Sequence, residues 1–344
     1  MANRDNYLIL ADGSSTHTLK WIKELVDYFD IYLISLNGLD KTILEYLPKE
    51  RIYILNSSVN QQGGNFKLLF KYFKIKRVVN TILPKYVNAH YLSSYGLLAA
   101  LLKKSCGFKL IQSTWGSDIL VTPFESKVKY NLAKFSLKGA DLITSDSLFM
   151  SKKIKEIYKN SNVMTFPFGL EDFNIKKFEK DNFLIYSNRI LSKNYNIDKV
   201  IIWFSKLNDC RFKLIIANSG EMLNSLKALA KELNVESRVD FIGFLSTKEQ
   251  KEYYKRAKYY ISIPTSDSTA VSLLEAMQYG CCPIVSNIDA NKEWVINGVN
   301  GYVFKQNLQL SNGIDVVEVN QKIIKQRAIF KNSIKEFVKR VQSI

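Results

Sequence analysis

Cysteine is scarce in this chain of 344 residues: Cys106, Cys210, Cys281 and Cys282 are all there is. Their spacing fits neither a metal site nor a disulfide framework, which sets aside a zinc module and a disulfide-stapled scaffold. The adjacent Cys281 and Cys282 read as small buried fillers at the start of a strand. No run of about 18 apolar residues occurs, which removes a membrane-crossing helix. The opening MANRDNYLILADGSS lacks a basic segment followed by an apolar one, so no signal peptide is expected and the chain is read as cytoplasmic and reduced. G-x-G-x-x-G is missing after the first strand, and the dinucleotide fingerprint with it. Histidine is limited to His17 and His90. Acid is missing altogether from Arg51 to Ser117, a stretch holding ten Lys and Arg.

What is present in excess is positive charge, +17 at pH 7. Beyond Arg51–Ser117 it gathers in Gln321–Ile344, where Lys322, Lys325, Arg327, Lys331, Lys335, Lys339 and Arg340 meet only Glu336. Basic faces like these seek phosphates, of lipid headgroups or of nucleic acid. Asn65–Pro84 interleaves Phe66, Leu68, Leu69, Phe70, Tyr72, Phe73 and Ile75 with basic residues. That is the pattern of an amphipathic helix lying on an anionic membrane, and equally of a core helix with a solvated lysine face. The aromatics have helical rather than sheet-platform spacing and no nucleic-acid motif accompanies them, so nucleic acid is not expected as a partner.

The length suits two domains, and a hydrophobic content of 47% can build two cores. Tyr7–Ala11 reads as a strand, Thr16–Phe29 as a helix and Ile31–Ser35 as a second strand, with Asp12-Gly13-Ser14-Ser15 as the first turn. Strands follow at Ile52–Leu55, Tyr86–Ala89, Lys109–Ser113 and Leu142–Ser145, with helices at Asn65–Ile82, Gly96–Lys104 and Lys127–Leu137. A second alternation runs through Phe183–Ser187, Phe212–Ala217, Val239–Ile242 and Tyr259–Pro264, separated by helices. The expected class is α/β: two doubly wound, Rossmann-like parallel sheets facing a cleft, with ligands beyond the carboxyl ends of the strands. The expected domains are 1–170 and 171–320. A basic helix over 321–344 is expected to pack back toward the first domain.

Tyr259–Phe304 is the most informative stretch. After its strand, Thr265-Ser266-Asp267-Ser268-Thr269 is rich in turn formers, Ala270–Tyr279 has helical spacing, and Gly280 and Pro283-Ile284-Val285 stop the helix and restart a strand. A loop without lysine leaves N–H groups free at a helix start, a ready phosphate site. Asp267 lies just before those amides and Glu275 two turns inside the helix.

Taken in order, these pieces resemble a known family. Pro167-Phe168-Gly169-Leu170-Glu171, Tyr186-Ser187-Asn188-Arg189, Gly243-Phe244-Leu245 and Asp267–Pro283 are similar to glycosyltransferase family 4, of the two-domain GT-B fold. So are Ser15-Thr16-His17-Thr18 with Lys20-Trp21, Ala89-His90-Tyr91 with Ser94-Tyr95-Gly96, and Trp115-Gly116-Ser117-Asp118. The resemblance implies that Asp267 and Glu275 stand at the family's two glutamates, with seven residues between them. Eight residues partly in helix span roughly 12 Å, the reach from a donor sugar across a diphosphate to a ribose. The implied roles are Asp267 near the sugar, the amides of Ala270, Val271 and Ser272 on the phosphates, and Glu275 on the ribose. A helix cap remains the alternative for Asp267, and an ion pair on a helix face for Glu275.

The resemblance also implies that Arg189 offsets the leaving diphosphate in place of a metal, and D-x-D is absent. The family's following lysine falls on Asn194, with Lys193 one place early, so Lys193 is a catalytic candidate or a solvated surface lysine. Gly243 and Phe244 are candidates to cradle the base, with a core role open for Phe244. Gly13 and Ser14 either approach the phosphates or form a plain βα turn. Many members carry histidine where this chain has Trp115, which cannot move a proton. Asp118 therefore stands as a candidate hydrogen bonder to sugar or acceptor, and His90 as a substitute.

The expected function is a retaining glycosyltransferase, hexosyl or N-acetylhexosaminyl, without cofactor or metal. Its donor is a nucleotide sugar, with UDP favoured, and its acceptor a glycan or polyprenyl-linked glycan for a bacterial surface glycoconjugate. It would work at the inner face of the membrane, in peripheral contact with anionic lipid. The rival readings are a GT-B sugar-nucleotide epimerase and a non-catalytic basic protein binding membrane or nucleic acid.

Overall fold

The computed structural model describes residues 4–36, 38–55, 71–171, 173, 176–310 and 315–344. The chain divides into two units, Met1–Pro167 with Phe330–Ile344, and Phe168–Ile329.

In the first unit the strands are β1 (Asn6–Leu10), β2 (Asp30–Ser35), β3 (Ile52–Ile54), β4 (Tyr86–His90), β5 (Lys109–Ser113), β6 (Leu142–Ser145) and β7 (Val163–Thr165). They form one parallel sheet in the order β3-β2-β1-β4-β5-β6-β7. Tyr7-Leu8-Ile9-Leu10 is buried throughout, as expected of a strand covered on both faces. The covering helices are α1 (Thr16–Leu25), α2 (Tyr72–Ile82), α3 (Leu97–Cys106), α4 (Ser117–Leu120), α5 (Lys127–Gly139) and α6 (Leu148–Ile157). The strand order reverses between β1 and β4, so the loops after them flank a topological switch point, where such sheets bind ligands.

The second unit repeats the plan with β8 (Asp181–Ser187), β9 (Lys213–Ala217), β10 (Val239–Gly243), β11 (Ala257–Ser262), β12 (Cys282–Val285) and β13 (Tyr302–Val303). Its order is β10-β9-β8-β11-β12-β13, again parallel, with the switch point between β8 and β11. Its helices are α7 (Ile197–Ser205), α8 (Leu223–Glu232), α9 (Thr247–Arg256), α10 (Val271–Gln278), α11 (Asp289–Lys292) and α12 (Val317–Arg327). A last helix, α13 (Phe330–Gln342), belongs to the first unit.

The single basic helix expected over 321–344 is therefore two helices. The break has a local cause: Leu170 N–H donates to Ala328 O at 2.7 Å, and Leu170 pairs with Ile329 in an extended bridge. Gly169 permits the approach, since a Cβ there would lie 2.0 Å from the Ala328 carbonyl oxygen. α13 then packs its apolar face around Trp21 of α1, with Phe330 and Phe337 rings 5.4 and 5.1 Å from the indole.

Part of the expected amphipathic helix over 65–82 also changes character. Residues 65–70, which carry Phe66, Lys67, Leu68, Leu69 and Phe70, lie outside the described residues. In the described part, α2 buries Ile75, Val79 and Ile82 against the first unit's core, the pattern of a core helix. Among the described residues no helix is long and apolar enough to cross a membrane.

Candidate functional site

Two of the second unit's loops supply an ion pair at its switch point. Ser187 ends β8, and Arg189 follows two residues later; Ser262 ends β11, and Asp267 lies five residues beyond. The Arg189 Nη2 donates to Asp267 Oδ2 at 2.6 Å and Nη1 to Ser272 Oγ at 2.8 Å. The guanidinium also lies 4.3 Å from the Tyr195 ring centroid. Burial opposes the charge on Arg189, but Asp267 and the nearby phenols outweigh it and hold the guanidinium protonated. Burial pushes the Asp267 carboxyl up, and Arg189, its direct partner, pulls it down.

Asp267 is not the cap of α10. Its Oδ1 accepts from Ser268 N–H, and the N-cap position is Ala270, which makes no side-chain capping bond. The N–H groups of Val271 and Ser272 in the first turn have no intrahelical partner. These amides open beside the Arg189 guanidinium, because Ser272 is both the second residue of α10 and a hydrogen-bond partner of Arg189. Positive helix-end charge and guanidinium thus converge on one spot.

The loop is held from α7's approach. Asn194 Nδ2 donates to Ser266 O at 3.0 Å, its Oδ1 accepts from Ser266 N–H at 3.1 Å, and its carbonyl accepts from Thr265 N–H at 2.7 Å. Asn196, at φ +51°, donates to Ile263 O and Thr265 Oγ1. The residue standing at the family's lysine position is therefore a clamp on the Asp267 loop. Lys193 beside it is exposed.

From Ser272 a chain of hydrogen bonds crosses the unit. The Ser272 hydroxyl and Tyr260 OH lie 2.8 Å apart, and Tyr260 OH donates to Asn188 Oδ1 at 2.9 Å. Asn188 Nδ2 donates to Gln250 Oε1 at 2.6 Å and to Tyr254 OH at 2.8 Å, and Tyr254 OH donates to Glu275 Oε2 at 3.1 Å. Burial, followed for Tyr254 by the Glu275 charge, keeps both phenols protonated and able to donate. Gln250 also donates to Leu245 O, tying in the loop after β10. At the end of β10 Gly243, at φ +75°, a backbone conformation that favours glycine, accepts from Asn218 N–H at 2.6 Å. The neighbouring Phe244 side chain is 76% exposed, which removes its core alternative.

In the first unit the candidates fare differently. Gly13 N–H donates to Ser35 Oγ at 2.9 Å, and Ser14 N–H and Oγ both donate to Asp12 Oδ1. The Gly13 amide is thus taken by β2 and the Ser14 amide by its own turn, the pattern of a plain βα turn. Asp118 is buried, and its carboxylate accepts from the N–H groups of Leu92, Trp115 and Gly116 at 2.8 to 3.0 Å. It organises the loops after β4 and β5. Those loops carry an aromatic cluster. Trp115 has His17, His90 and Tyr91 rings at 4.5, 5.3 and 5.9 Å, and Tyr91 sits at φ +65°. Burial, reinforced by Lys20, holds His17 down to about 4; burial, reinforced by His17, holds His90 down to about 3. His90 is thus a neutral ring wedged between Trp21 and Trp115.

The structure brings Arg189, Asp267, Ala270, Val271 and Ser272 together and links them to Glu275 through hydrogen bonds. Tyr254 and Tyr260 escaped the sequence reading, which placed Asn188 in a family mark and Asn194 at the family's lysine position without giving either a role. The available signal was the tyrosines of α9 and β11, since a buried phenol needs a partner. Among the described residues no cluster of three or more His, Cys, Asp or Glu is placed to hold a metal ion.

Comparison with known proteins bears on the family and the fold. A model of glycosyl transferases group 1 matches residues 168–337, and a glycosyl transferase 4-like model matches residues 7–147. An alpha-monoglucosyldiacylglycerol synthase of Streptococcus pneumoniae is 31% identical over 28% of this chain and 22% of its own length. An N-acetylgalactosamine-N,N'-diacetylbacillosaminyl-diphospho-undecaprenol 4-alpha-N-acetylgalactosaminyltransferase of Campylobacter jejuni is 24% identical over 75% of this chain and 73% of its own. The alignments thus span as little as about a fifth of a relative's length. The crystal structure of HepE from Anabaena in complex with UDP and glucose superposes with a TM-score of 0.76 at 15% identity, covering 99% of this chain and 100% of that one. With two family models spanning both units and a GT-B structure matching end to end, the chain belongs to the glycosyl transferases group 1, of the glycosyltransferase family 4 type.

Proposed function

We propose that the protein transfers a hexosyl or N-acetylhexosaminyl group, with retention, from a UDP-sugar to a hydroxyl of a lipid-linked glycan or related lipid acceptor, without a bound metal. The observation that carries this reading is the Arg189 guanidinium, anchored on Asp267 and Ser272 beside the uncapped start of α10. As the bond from the sugar to the diphosphate lengthens, negative charge grows on the departing oxygen. A guanidinium and helix amides fixed beforehand stabilise that charge without having to reorganise. The diphosphate then accepts the proton of the incoming acceptor hydroxyl, which needs no protein base.

Asp267 has two roles in this reading. It holds Arg189 in place and presents its remaining lone pairs to sugar hydroxyls. Glu275, oriented by Tyr254, takes the ribose hydroxyls, and exposed Phe244 offers a face to the base. The UDP and glucose of the HepE structure support UDP as the nucleotide. The diacylglycerol and undecaprenol in the names of the two relatives support a lipid-borne acceptor, and with it work at a membrane face.

A panel of UDP-glucose, UDP-galactose, UDP-N-acetylglucosamine, UDP-N-acetylgalactosamine and GDP-mannose, read by thermal shift, tests the donor. The expected result is stabilisation by one or two UDP-sugars and by UDP itself. No shift with any of them, or conversion of the donor to an isomer with no acceptor present, would overturn the reading.

A further inference from the structure

The first unit holds a cavity of about 730 Å³ between α3 and α5, apart from the centre at β8 and β11. Leu97 and Leu101, one turn apart on α3, line one side, and Val128, Leu132 and Phe135, at i, i+4 and i+7 on α5, line the other. It opens to solvent: Val128 is 61% exposed and Leu132 36%. Phe124, in the turn that leads into α5, is 57% exposed. A stripe of hydrocarbon this continuous, left open along a helix, marks a binding surface rather than scattered surface residues.

Its charge is one-sided. α5 carries Lys127, Lys129, Lys134 and Lys138 and no acid, and the nearby Glu125 is taken by Lys129. Across the trough Lys104 of α3 lies 5.0 Å from the centroid of the Phe135 ring. The lining offers few polar groups, so a peptide would bury its own N–H and C=O groups unsatisfied. A hydrocarbon chain ending in a phosphate has no such cost and complements both the apolar wall and the lysines.

The position of the trough is informative too. Leu92 and Asp118 belong to its lining, and Asp118 is the carboxylate that holds the N–H groups of Leu92, Trp115 and Gly116. It therefore starts at the loops that carry Tyr91 and Trp115. We propose that this trough seats the hydrocarbon chain of a lipid-linked acceptor, with α5 lysines at its phosphate and its head group toward the Trp115 cluster. The word acceptor rests on the transferase reading above; chain binding is tested without it.

The full-length chain is titrated with dodecyl phosphate below its micellar concentration, with butyl phosphate, and separately with UDP. Leu132→Glu and Val128→Glu each place a carboxylate in the trough at positions exposed enough to leave folding intact. Asn131→Glu makes the same charge change on α5 outside the lining. Dodecyl phosphate is expected to bind wild type and Asn131→Glu alike, and Leu132→Glu and Val128→Glu at least about tenfold more weakly. Butyl phosphate is expected to bind weakly to all, and UDP equally to all. Equal binding of dodecyl and butyl phosphate, or of dodecyl phosphate to all variants, would overturn the site. So would binding to anionic phosphatidylglycerol vesicles, insensitive to Leu132→Glu, with no uptake of dodecyl phosphate. Dodecyl phosphate binding by a protein with no affinity for UDP would keep the lipid site and remove the transferase reading.

Discussion

Arg189 and Asp267, 78 residues apart in sequence, meet at 2.6 Å at the carboxyl ends of adjacent strands. Their side chains are only 12% and 22% exposed, so neither charge is well served by water. Arg189→Ala strands a carboxylate and should cost about 3 kcal/mol in unfolding free energy. Arg189→Lys keeps the charge but loses the fork that reaches both Asp267 and Ser272, and kcat should fall about 100-fold. Transfer kinetics with chemical denaturation check both, and wild-type turnover in Arg189→Lys would remove the guanidinium from the mechanism.

Tyr254→Phe deletes one hydroxyl between Asn188 and Glu275 while keeping the ring packed. The expected result is a loss of about 1 kcal/mol in stability and a roughly tenfold weaker UDP affinity, with kcat much less affected. Calorimetry with UDP, set beside a KM and kcat comparison, separates the two.

Restoring the family's lysine should harm this protein. Asn194→Lys loses the side-chain pair to Ser266 on the Asp267 loop, two hydrogen bonds worth about 2 kcal/mol together. A lower melting temperature and slower transfer are expected; faster transfer would mean that the position is free to serve as a cation.

Phe244→Ala should leave the melting temperature nearly unchanged, since the ring is 76% exposed. UDP affinity should fall about tenfold, because an aromatic face is removed from the base. Unchanged affinity would place the base elsewhere.

Acid should destabilise the fold through its two histidines. Burial holds folded His17 down to about 4 and folded His90 down to about 3, whereas an unfolded histidine takes its proton at about 6.5. Between those values the unfolded state binds more protons, so stability falls as pH falls through this window. Melting curves from neutral pH downward should show the decline, and His17→Asn should flatten it. A decline of equal slope in that variant would assign it to other groups.

Much of the architecture was legible because strands covered on both faces read as short apolar runs between helical patterns. Lys109–Ser113 and Leu142–Ser145 agree to the residue with β5 and β6. α6 and β7 had no part in that reading. α6 begins with Leu148 and Phe149 on mixed faces, and β7 is three residues long. The break at Ala328 was invisible because its cause, Leu170 and Gly169, lies about 160 residues earlier. Arg189 and Asp267 were identified from local marks, but their contact was not, since no spacing rule joins residues on different strands. The internal hydrogen bonds of Gly13, Ser14 and Asp118 were not legible for another reason: sequence places a polar group on a loop but does not say whether the loop itself uses it.

The packing of α13 on Trp21 bears on how the protein is made. Synthesis runs from the N-terminus, and units generally fold as they emerge. Here the rings that close around Trp21, Phe330 and Phe337, leave the ribosome about 300 residues after it. The first unit therefore waits for the second to pass before its core is complete, and a chain stopped before Phe330 would leave Trp21 without those rings.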